Sequence, residues 1–146
     1  MKLLMGFFLV FSMYTVPLLW LTDFDQASAE ATKSNKMILL NFSGSDWCGP
    51  CIRMEKEIFE SAVFDDYAQK NLVLLRADFP RMKKNQLSEA QVKKNEALAN
   101  KYDSQGKFPY TILMNAKGEV VKEWEGLPQV NPAVFVAEIN KASSVR

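Results

Sequence analysis

The hydrophobic and polar positions of the chain fall into short blocks that predict a sheet. The apolar runs at 37–42 (MILLNF) and 72–77 (LVLLRA) are typical of buried strands. A third run at 110–114 (YTILM) is separated from 120–124 by a short turn that contains a glycine. Two strands joined in this way form a hairpin, so the pattern predicts four strands with a hairpin near the carboxyl end.

Helix-start signals and the spacing of apolar residues predict five helices around these strands. They lie at 23–36, from Pro50 onward, at 61–70, at 88–101, and after Asn131-Pro132. The apolar side of the second helix is predicted to carry Ile52, Met54, Ile58 and Phe59. Ser88 and Gln91 have the spacing of a capping box. Alternating helices and strands followed by a hairpin imply an α/β fold, with a mixed sheet covered by helices on both faces.

The amino-terminal segment is apolar without interruption. No charged residue occurs from Leu3 to Leu21, and Lys2 precedes the run. This is the layout of a secretory signal, and its length is also close to the roughly 20 residues that span a bilayer. Either interpretation places the following domain outside the cytoplasm. We therefore predict a signal peptide or membrane anchor over residues 1–21 and one folded domain over residues 22–146.

Two interpretations compete for the residues just after the apolar run. Residues 27–29 (Ala-Ser-Ala) have the small-residue form that signal peptidase prefers. Residues 23–36 also fit an amphipathic helix, with Phe24 and Ala31 on its apolar face. Because cleavage after Ala29 would destroy that helix, we expect earlier cleavage or none.

Composition narrows the chemistry that is available. The net charge of +1 gives no reason to expect nucleic acid or an anionic membrane surface as a partner. The chain has no histidine, which excludes imidazole bases and histidine metal sites. Its two cysteines are too few for a four-thiolate zinc site. We therefore predict no metal, no cofactor and no nucleic-acid partner.

Both cysteines lie in one C-x-x-C motif, at Cys48 and Cys51, just before a predicted helix start. A free cysteine has a pKa near 8.5, so only about 3% is the nucleophilic thiolate at pH 7. A helix start stabilises an anion by at most about 2 kcal/mol, roughly what lowering the pKa to 7 requires. A hydrogen bond from the Cys51 thiol would supplement it. We predict that Cys48 attacks a substrate disulfide and that Cys51, deeper in the helix and less exposed, resolves the mixed disulfide.

Other uses of the two cysteines are weaker but stay open at this point. A structural disulfide across so short a loop would stabilise the fold by about 2 kcal/mol and would join nothing distant. A two-thiolate metal site would need methionine or external ligands. The seven methionines lie mostly in the apolar leader or at core-like positions, where methionine usually packs. The alternative from another functional class is a non-enzymatic module that uses the two cysteines to bind copper or a client protein.

The stretch 47–51 (WCGPC) is identical to the active-site motif of thioredoxins, and from about residue 20 onward the chain resembles the thioredoxin superfamily. The resemblance implies a thioredoxin-like fold and a cis peptide bond before Pro109, facing the cysteines. It also implies a substrate-binding surface made of Trp47, Gly49, Pro50, Phe108 and Pro109. From the residues alone, Pro109 can instead be an edge feature of a strand, and Trp47 can simply pack.

The chain departs from the family pattern at one position on the strand before the motif and at one position on the next strand. Asn41 lies where thioredoxins carry a buried aspartate that handles the proton of the resolving cysteine, and Leu74 lies where they carry a lysine. An amide cannot take up a proton, so Asp46, Glu55 or water would have to serve.

A longer connection at 79–103 is a third departure. It contains a set of basic residues: Arg81, Lys83, Lys84, Lys93 and Lys94. These charges form either a solvated helix face or a docking surface for an acidic partner.

Within the superfamily, the chain is most similar to exported bacterial thioredoxin-like proteins and to the soluble domain of membrane thiol–disulfide interchange proteins. Members with Gly-Pro between the cysteines tend to be reducing. The resemblance therefore implies a monomeric periplasmic protein-disulfide reductase or interchange protein, free or anchored in the inner membrane. It would act on disulfide-bonded or thiol-containing proteins in cell redox homeostasis, with a membrane electron donor. An oxidase or isomerase of secreted thiols is the alternative.

Overall fold

A five-stranded mixed sheet with helices on both faces is the centre of the structure, a computed structural model that describes residues 16–144. The strands are β1 (Trp20–Leu21), β2 (Met37–Ser43), β3 (Leu72–Asp78), β4 (Tyr110–Met114) and β5 (Val120–Glu125). The α-helices are α1 (Phe24–Ser34), α2 (Gly49–Met54), α3 (Ala62–Asn71), α4 (Glu89–Tyr102) and α5 (Pro132–Ser143). The predicted α/β class is confirmed.

The strands follow the order β1-β3-β2-β4-β5. Strands β1 and β2 both run parallel to β3, whereas β4 is antiparallel to β2, and β5 is antiparallel to β4. The mixed sheet and the predicted hairpin of β4 and β5 are therefore confirmed. Every residue of the central strand β2 is buried, as its unbroken apolar run requires.

The core is divided by the sheet into two layers, because neighbouring residues of a strand point to opposite faces. On one face, Phe42 and Ile112 pack with Ala27 of α1 and with α4. On the other face, Leu39 packs with α3, α5 and the helical segment that follows the cysteines. The predicted arrangement of helices on both faces is confirmed.

The predicted helix starts are confirmed by their capping side chains. In each case a side-chain oxygen accepts a hydrogen bond from a backbone N–H of the first turn; these residues are Asp23, Ser61, Ser88 and Asn131. The capping box at α4 is only half formed, and in this respect the prediction is wrong. The Gln91 side chain donates instead to the Thr22 carbonyl and to the Asn95 side chain, each at 2.8 Å. Gln91 thereby joins α4 to the start of α1 rather than closing its own cap.

Strand β1 is the element that the hydrophobic pattern does not predict. Trp20 and Leu21, the last residues of the predicted apolar segment 1–21, pair with Leu74 and Leu75 of β3. Two apolar residues at the end of a longer apolar run have no periodicity of their own, so the pattern cannot separate them. The rest of that segment lies largely at 1–15, outside the described residues. Across the part of the chain that is described, no helix has both the length and the apolar composition to cross a membrane.

For one residue of the second helix, Ile52, the predicted place in the core is wrong. Ile52 is 37% exposed, whereas Cys51, Met54 and Ile58 form the buried stripe. Ile52 follows Cys51 by one residue, which is about 100° around a helix with 3.6 residues per turn, and so it faces solvent. After Met54 the helix widens into a π-helical turn at Glu55–Phe59, which places both Ile58 and Phe59 in the core.

Candidate active site

Three loops meet at one edge of the sheet, where β2 and β3 end and β4 begins. Ser43 pairs with Asp78 at the ends of β2 and β3, and Phe42 pairs with Tyr110 at the start of β4. The cysteine motif follows β2, the 79–87 segment follows β3, and Pro109 precedes β4. The parallel pairing of β2 with β3, and the reversed direction of β4, therefore bring these three segments together.

Cys48 and Cys51 form a disulfide at the start of α2, with their Cα atoms 5.2 Å apart. Cys48 is the N-cap residue of this helix, and its Sγ accepts a hydrogen bond of 3.3 Å from the Cys51 backbone N–H. The predicted place of Cys48 at a helix start is confirmed. In this oxidised form Cys48 is 5% exposed and Cys51 is 4% exposed, so the expected difference in exposure is absent. Gly49 and Pro50 between them are exposed.

Trp47 is held in place from three sides. Its indole Nε1 donates a hydrogen bond of 2.7 Å to the Phe79 carbonyl, and its ring packs edge-on against Phe108 at 5.4 Å between centroids. Gly44 lies directly against the indole, since a Cβ at that position would come within 2.3 Å of the Trp47 ring. The half-buried indole is thus both packed and partly accessible beside Cys48.

The peptide bond between Phe108 and Pro109 is cis, which confirms the expectation from the resemblance. The Phe108 ring lies between Trp47 and Phe79, at 5.6 Å from the latter. The Pro109 carbonyl accepts a hydrogen bond of 2.8 Å from Gly126, which ties this loop to the end of β5. The structure thus brings Phe108 against Trp47, while the substrate-binding roles predicted for Trp47, Gly49, Pro50, Phe108 and Pro109 stay predictions.

The sheet beneath α2 carries an amide where thioredoxins carry an acid. Asn41 is 2% exposed, and its Nδ2 donates a hydrogen bond of 3.0 Å to Thr111 Oγ1. The Thr111 hydroxyl is also 3.9 Å from the sulfur of Met54, in the same helix as Cys51. Leu74 is buried in the apolar core. Asn41 is therefore satisfied by a neutral hydroxyl, and neither it nor Leu74 offers an acid–base group.

The Asp46 carboxylate is fully used in hydrogen bonds to the loop that follows β3. Its carboxylate accepts hydrogen bonds of 2.9 Å from the backbone N–H groups of Arg81 and Met82 and from the side chain of Asn85. The N–H of Arg81 is the largest cause that lowers the pKa of the Asp46 carboxyl from its ordinary value. The role that the structure supports for Asp46 is therefore to hold this loop.

Glu55 is the other carboxylate considered for proton transfer. Glu55 lies one helical turn after Cys51, and its backbone N–H donates a hydrogen bond to the Cys51 carbonyl. Its side chain forms an ion pair of 2.7 Å with Arg76, whose guanidinium lies 3.9 Å from the Trp20 ring centroid. The missed strand β1 therefore covers the partner of this carboxylate.

Tyr110 is the titratable residue next to Pro109. Burial, assisted by the nearby Glu123 carboxylate, raises the pKa of Tyr110 to about 12. The phenol therefore stays neutral at physiological pH and is not a general base for the cysteines.

The basic residues of the 79–103 connection separate into two groups. On α4, Lys93 pairs with Glu89 at 2.9 Å and Lys94 pairs with Asp23, so the interpretation as a solvated helix face fits these two. Arg81 instead stacks on Trp47, with its guanidinium carbon 3.5 Å from the ring centroid. Sequence reasoning missed this contact, since the pairing of two loops leaves no periodic signal in the sequence; the only hint was the basic character of the connection.

Comparison with known proteins agrees with this geometry. Residues 19–116 match the sequence profile of a family described as Thioredoxin-like. The chain is 32% identical over 124 residues to the disulfide bond reductase DsbH of Chlamydia pneumoniae, an alignment that covers 85% of this chain and 72% of that protein.

Solved structures with a similar fold include a DsbH oxidoreductase, with a TM-score of 0.80 and 30% identity over 92% of this chain and 90% of that one. A thioredoxin from Thermus thermophilus has a TM-score of 0.65 at 17% identity, over 86% of this chain and 87% of that one, a likeness of fold alone. With its fold, its disulfide and the profile match in agreement, the chain belongs to the thioredoxin-like family.

Proposed function

We propose that this protein is a thiol–disulfide oxidoreductase that reduces or exchanges disulfides of exported proteins. The observation that carries the proposal is the Cys48–Cys51 disulfide at the start of α2, on the sheet edge that also holds cis-Pro109. The relative from Chlamydia pneumoniae, which is named a disulfide bond reductase, supports the same activity.

In the proposed cycle the reduced protein transfers two electrons to a client disulfide. The Cys48 thiolate attacks one client sulfur, the client disulfide breaks, and the departing sulfur leaves as a thiolate that takes up a proton. Cys51 then loses its proton and attacks Cys48 Sγ. This second exchange releases the other client thiol and leaves the Cys48–Cys51 disulfide.

The proton of Cys51 needs an acceptor other than the family's aspartate, because Asn41 occupies that position. Asp46 is held by the loop after β3, so we assign proton uptake to Glu55 or to water. Glu55 is favoured by its place one turn beyond Cys51 in the same helical segment.

Export and re-reduction complete the proposal. The charge-free run from Leu3 to Leu21 behind Lys2 supports delivery to the periplasm, with or without an anchor in the inner membrane. A reductase outside the cytoplasm must be re-reduced from elsewhere, so we assign a membrane-bound dithiol protein as the electron donor. We assign it a monomeric state.

The reductase activity is tested by the reduction of insulin with dithiothreitol. We expect the protein to shorten the lag before insulin precipitates, because Cys48 reacts with the insulin disulfides faster than the small thiol does. The control is the same protein after reduction and alkylation of both cysteines, which should give the lag of dithiothreitol alone. Equal lags for the active and alkylated protein would reject the proposal.

The direction of electron flow is tested by the reduction potential of the Cys48–Cys51 pair. We expect equilibration with glutathione buffers to give a potential near that of thioredoxin, about −270 mV, since Gly49-Pro50 separates the cysteines as in reducing members of the family. A difference of about 30 mV is a tenfold change in the equilibrium constant. A potential near −120 mV would instead assign the protein as an oxidase of secreted thiols.

A further inference from the structure

We propose that residues 81–85, here called the 81–85 turn, recognise clients that carry acidic residues next to the cysteine under attack. The proposal rests on the proposed thiol–disulfide exchange and specifies its substrates. Three cations, Arg81, Lys83 and Lys84, lie exposed in this short segment.

The 81–85 turn is held firmly rather than left to solvent. Both carboxylate oxygens of Asp46 accept hydrogen bonds from it, from two backbone N–H groups and from the Asn85 side chain. Residues Lys83–Asn85 form a 3₁₀ turn, and the Asn85 backbone N–H donates to the Met82 carbonyl at 2.9 Å. A surface held by this many hydrogen bonds loses little conformational entropy when a partner binds.

The 81–85 turn also lies beside the nucleophile. Asp46, which holds it, is two residues before Cys48, and Arg81 stacks on Trp47, the residue immediately before Cys48. Trp47 in turn contacts Phe108, which precedes cis-Pro109. A client segment that approaches both Cys48 and Phe108 therefore passes next to the Arg81 guanidinium.

The positive charge of the 81–85 turn is only partly offset by neighbouring acids, since Asp46 supplies one negative charge against three cations. Within residues 16–144, no ion pair includes Arg81, Lys83 or Lys84. Asp46 accepts from the backbone of the turn, and the Asp78 carboxylate accepts from the backbone N–H and hydroxyl of Ser45. Lys93 and Lys94 of α4, by contrast, have acidic partners. Unpaired cations on a rigid support are the arrangement that attracts an anionic partner.

The chemistry of the occupant follows from this charge. An extended polypeptide advances about 3.3 Å per residue, so a carboxylate two or three residues from the target sulfur lies within roughly 10 Å of it. At that range an Asp or Glu of the client can reach the Arg81 guanidinium on Trp47, with Lys83 and Lys84 in the same turn. We expect complementary charge to act mainly on the association rate, and hence to weaken as salt screens it.

The test uses three synthetic peptides that share one intramolecular disulfide and differ only in two flanking residues, which are both Asp, both Ser or both Lys. Second-order rate constants for the reduced protein are measured by acid quenching and mass spectrometry at low salt. We expect the Asp peptide to react about tenfold faster than the Lys peptide, and we expect 1 M salt to abolish the difference.

The variant Lys83→Glu/Lys84→Glu should remove or reverse the preference for the Asp peptide. The matched control is Lys33→Glu/Lys117→Glu, which changes the net charge equally at exposed positions near the opposite end of β2. The control should keep the preference of the wild type. Arg81→Gln should lower the preference in part, with the rate on the Ser peptide as a reference for the redox centre.

The outcomes separate this proposal from the activity on which it rests. A wild-type protein that reduces all three peptides at equal rates would overturn recognition by the 81–85 turn and leave the reductase proposal standing. Equal loss of preference in the 83/84 variant and the 33/117 control would assign the effect to net charge and would also overturn it. A wild-type protein that reacts with none of the peptides would count against the proposed function itself.

Discussion

Replacing Cys51 with serine is expected to leave the protein covalently bound to its clients. Cys48 keeps its position at the start of α2 and still attacks a client disulfide. A serine hydroxyl does not displace a disulfide sulfur, so the mixed disulfide is not resolved. Turnover of insulin should fall to the rate of dithiothreitol alone, and adducts should accumulate when the variant meets clients in the absence of a small thiol, which would itself resolve them.

The adducts are visible as bands of higher mass on non-reducing gels that disappear after reduction. Cys48→Ser is the matched control, because it removes the sulfur at the N-cap of α2 and leaves Cys51, which lies three residues further into the helix. We expect no turnover and no adducts from it. Adducts formed by Cys48→Ser but not by Cys51→Ser would reverse the assigned roles.

The second large effect is expected on stability, at Phe135 of α5. This residue is fully buried, and its ring packs against Trp124 at 5.1 Å and against Phe59 and Phe64 at 6.5 Å each. Truncation of a buried phenylalanine to alanine costs about 3–5 kcal/mol, through lost apolar burial and the cavity that remains. We expect Phe135→Ala to lower the free energy of unfolding by that amount in urea titrations.

Val134→Ala is the matched control for this prediction. Val134 is the preceding residue of the same helix and is 42% exposed, so its truncation should change the free energy of unfolding by less than about 0.5 kcal/mol. Similar losses in the two variants would show that α5 does not pack in the way described. Phe135→Ala protein that is still folded should keep its insulin activity, because the rings that pack against Phe135 are those of Phe59, Phe64 and Trp124, which lie outside the cysteine motif.

Much of the fold is predictable from local sequence features. The β4 strand has the bounds that its apolar run indicates, and β2 and β3 each extend one residue further. The caps at Ser61 and Asn131 locate two helix starts, since a capping side chain and the N–H that it satisfies are three residues apart. The errors lie where a pattern is short or ambiguous, as at β1 and at Ile52.

The site divides in the same way. The sequence by itself determined that Cys48 and Cys51 start a helix after a buried strand, because strand, motif and cap are contiguous in the chain. The cis peptide bond before Pro109 was predicted from the resemblance to the thioredoxin superfamily.

Only the tertiary structure decided what surrounds the two cysteines. These surroundings are the buried Asn41–Thr111 hydrogen bond, the stacking of Arg81 on Trp47, and the hydrogen bonds from the 81–85 turn to Asp46. These contacts join residues 34 to 70 positions apart, and each depends on how parallel and antiparallel strands align at one edge of the sheet. A linear pattern contains the residue types for such contacts but not the register that brings them together.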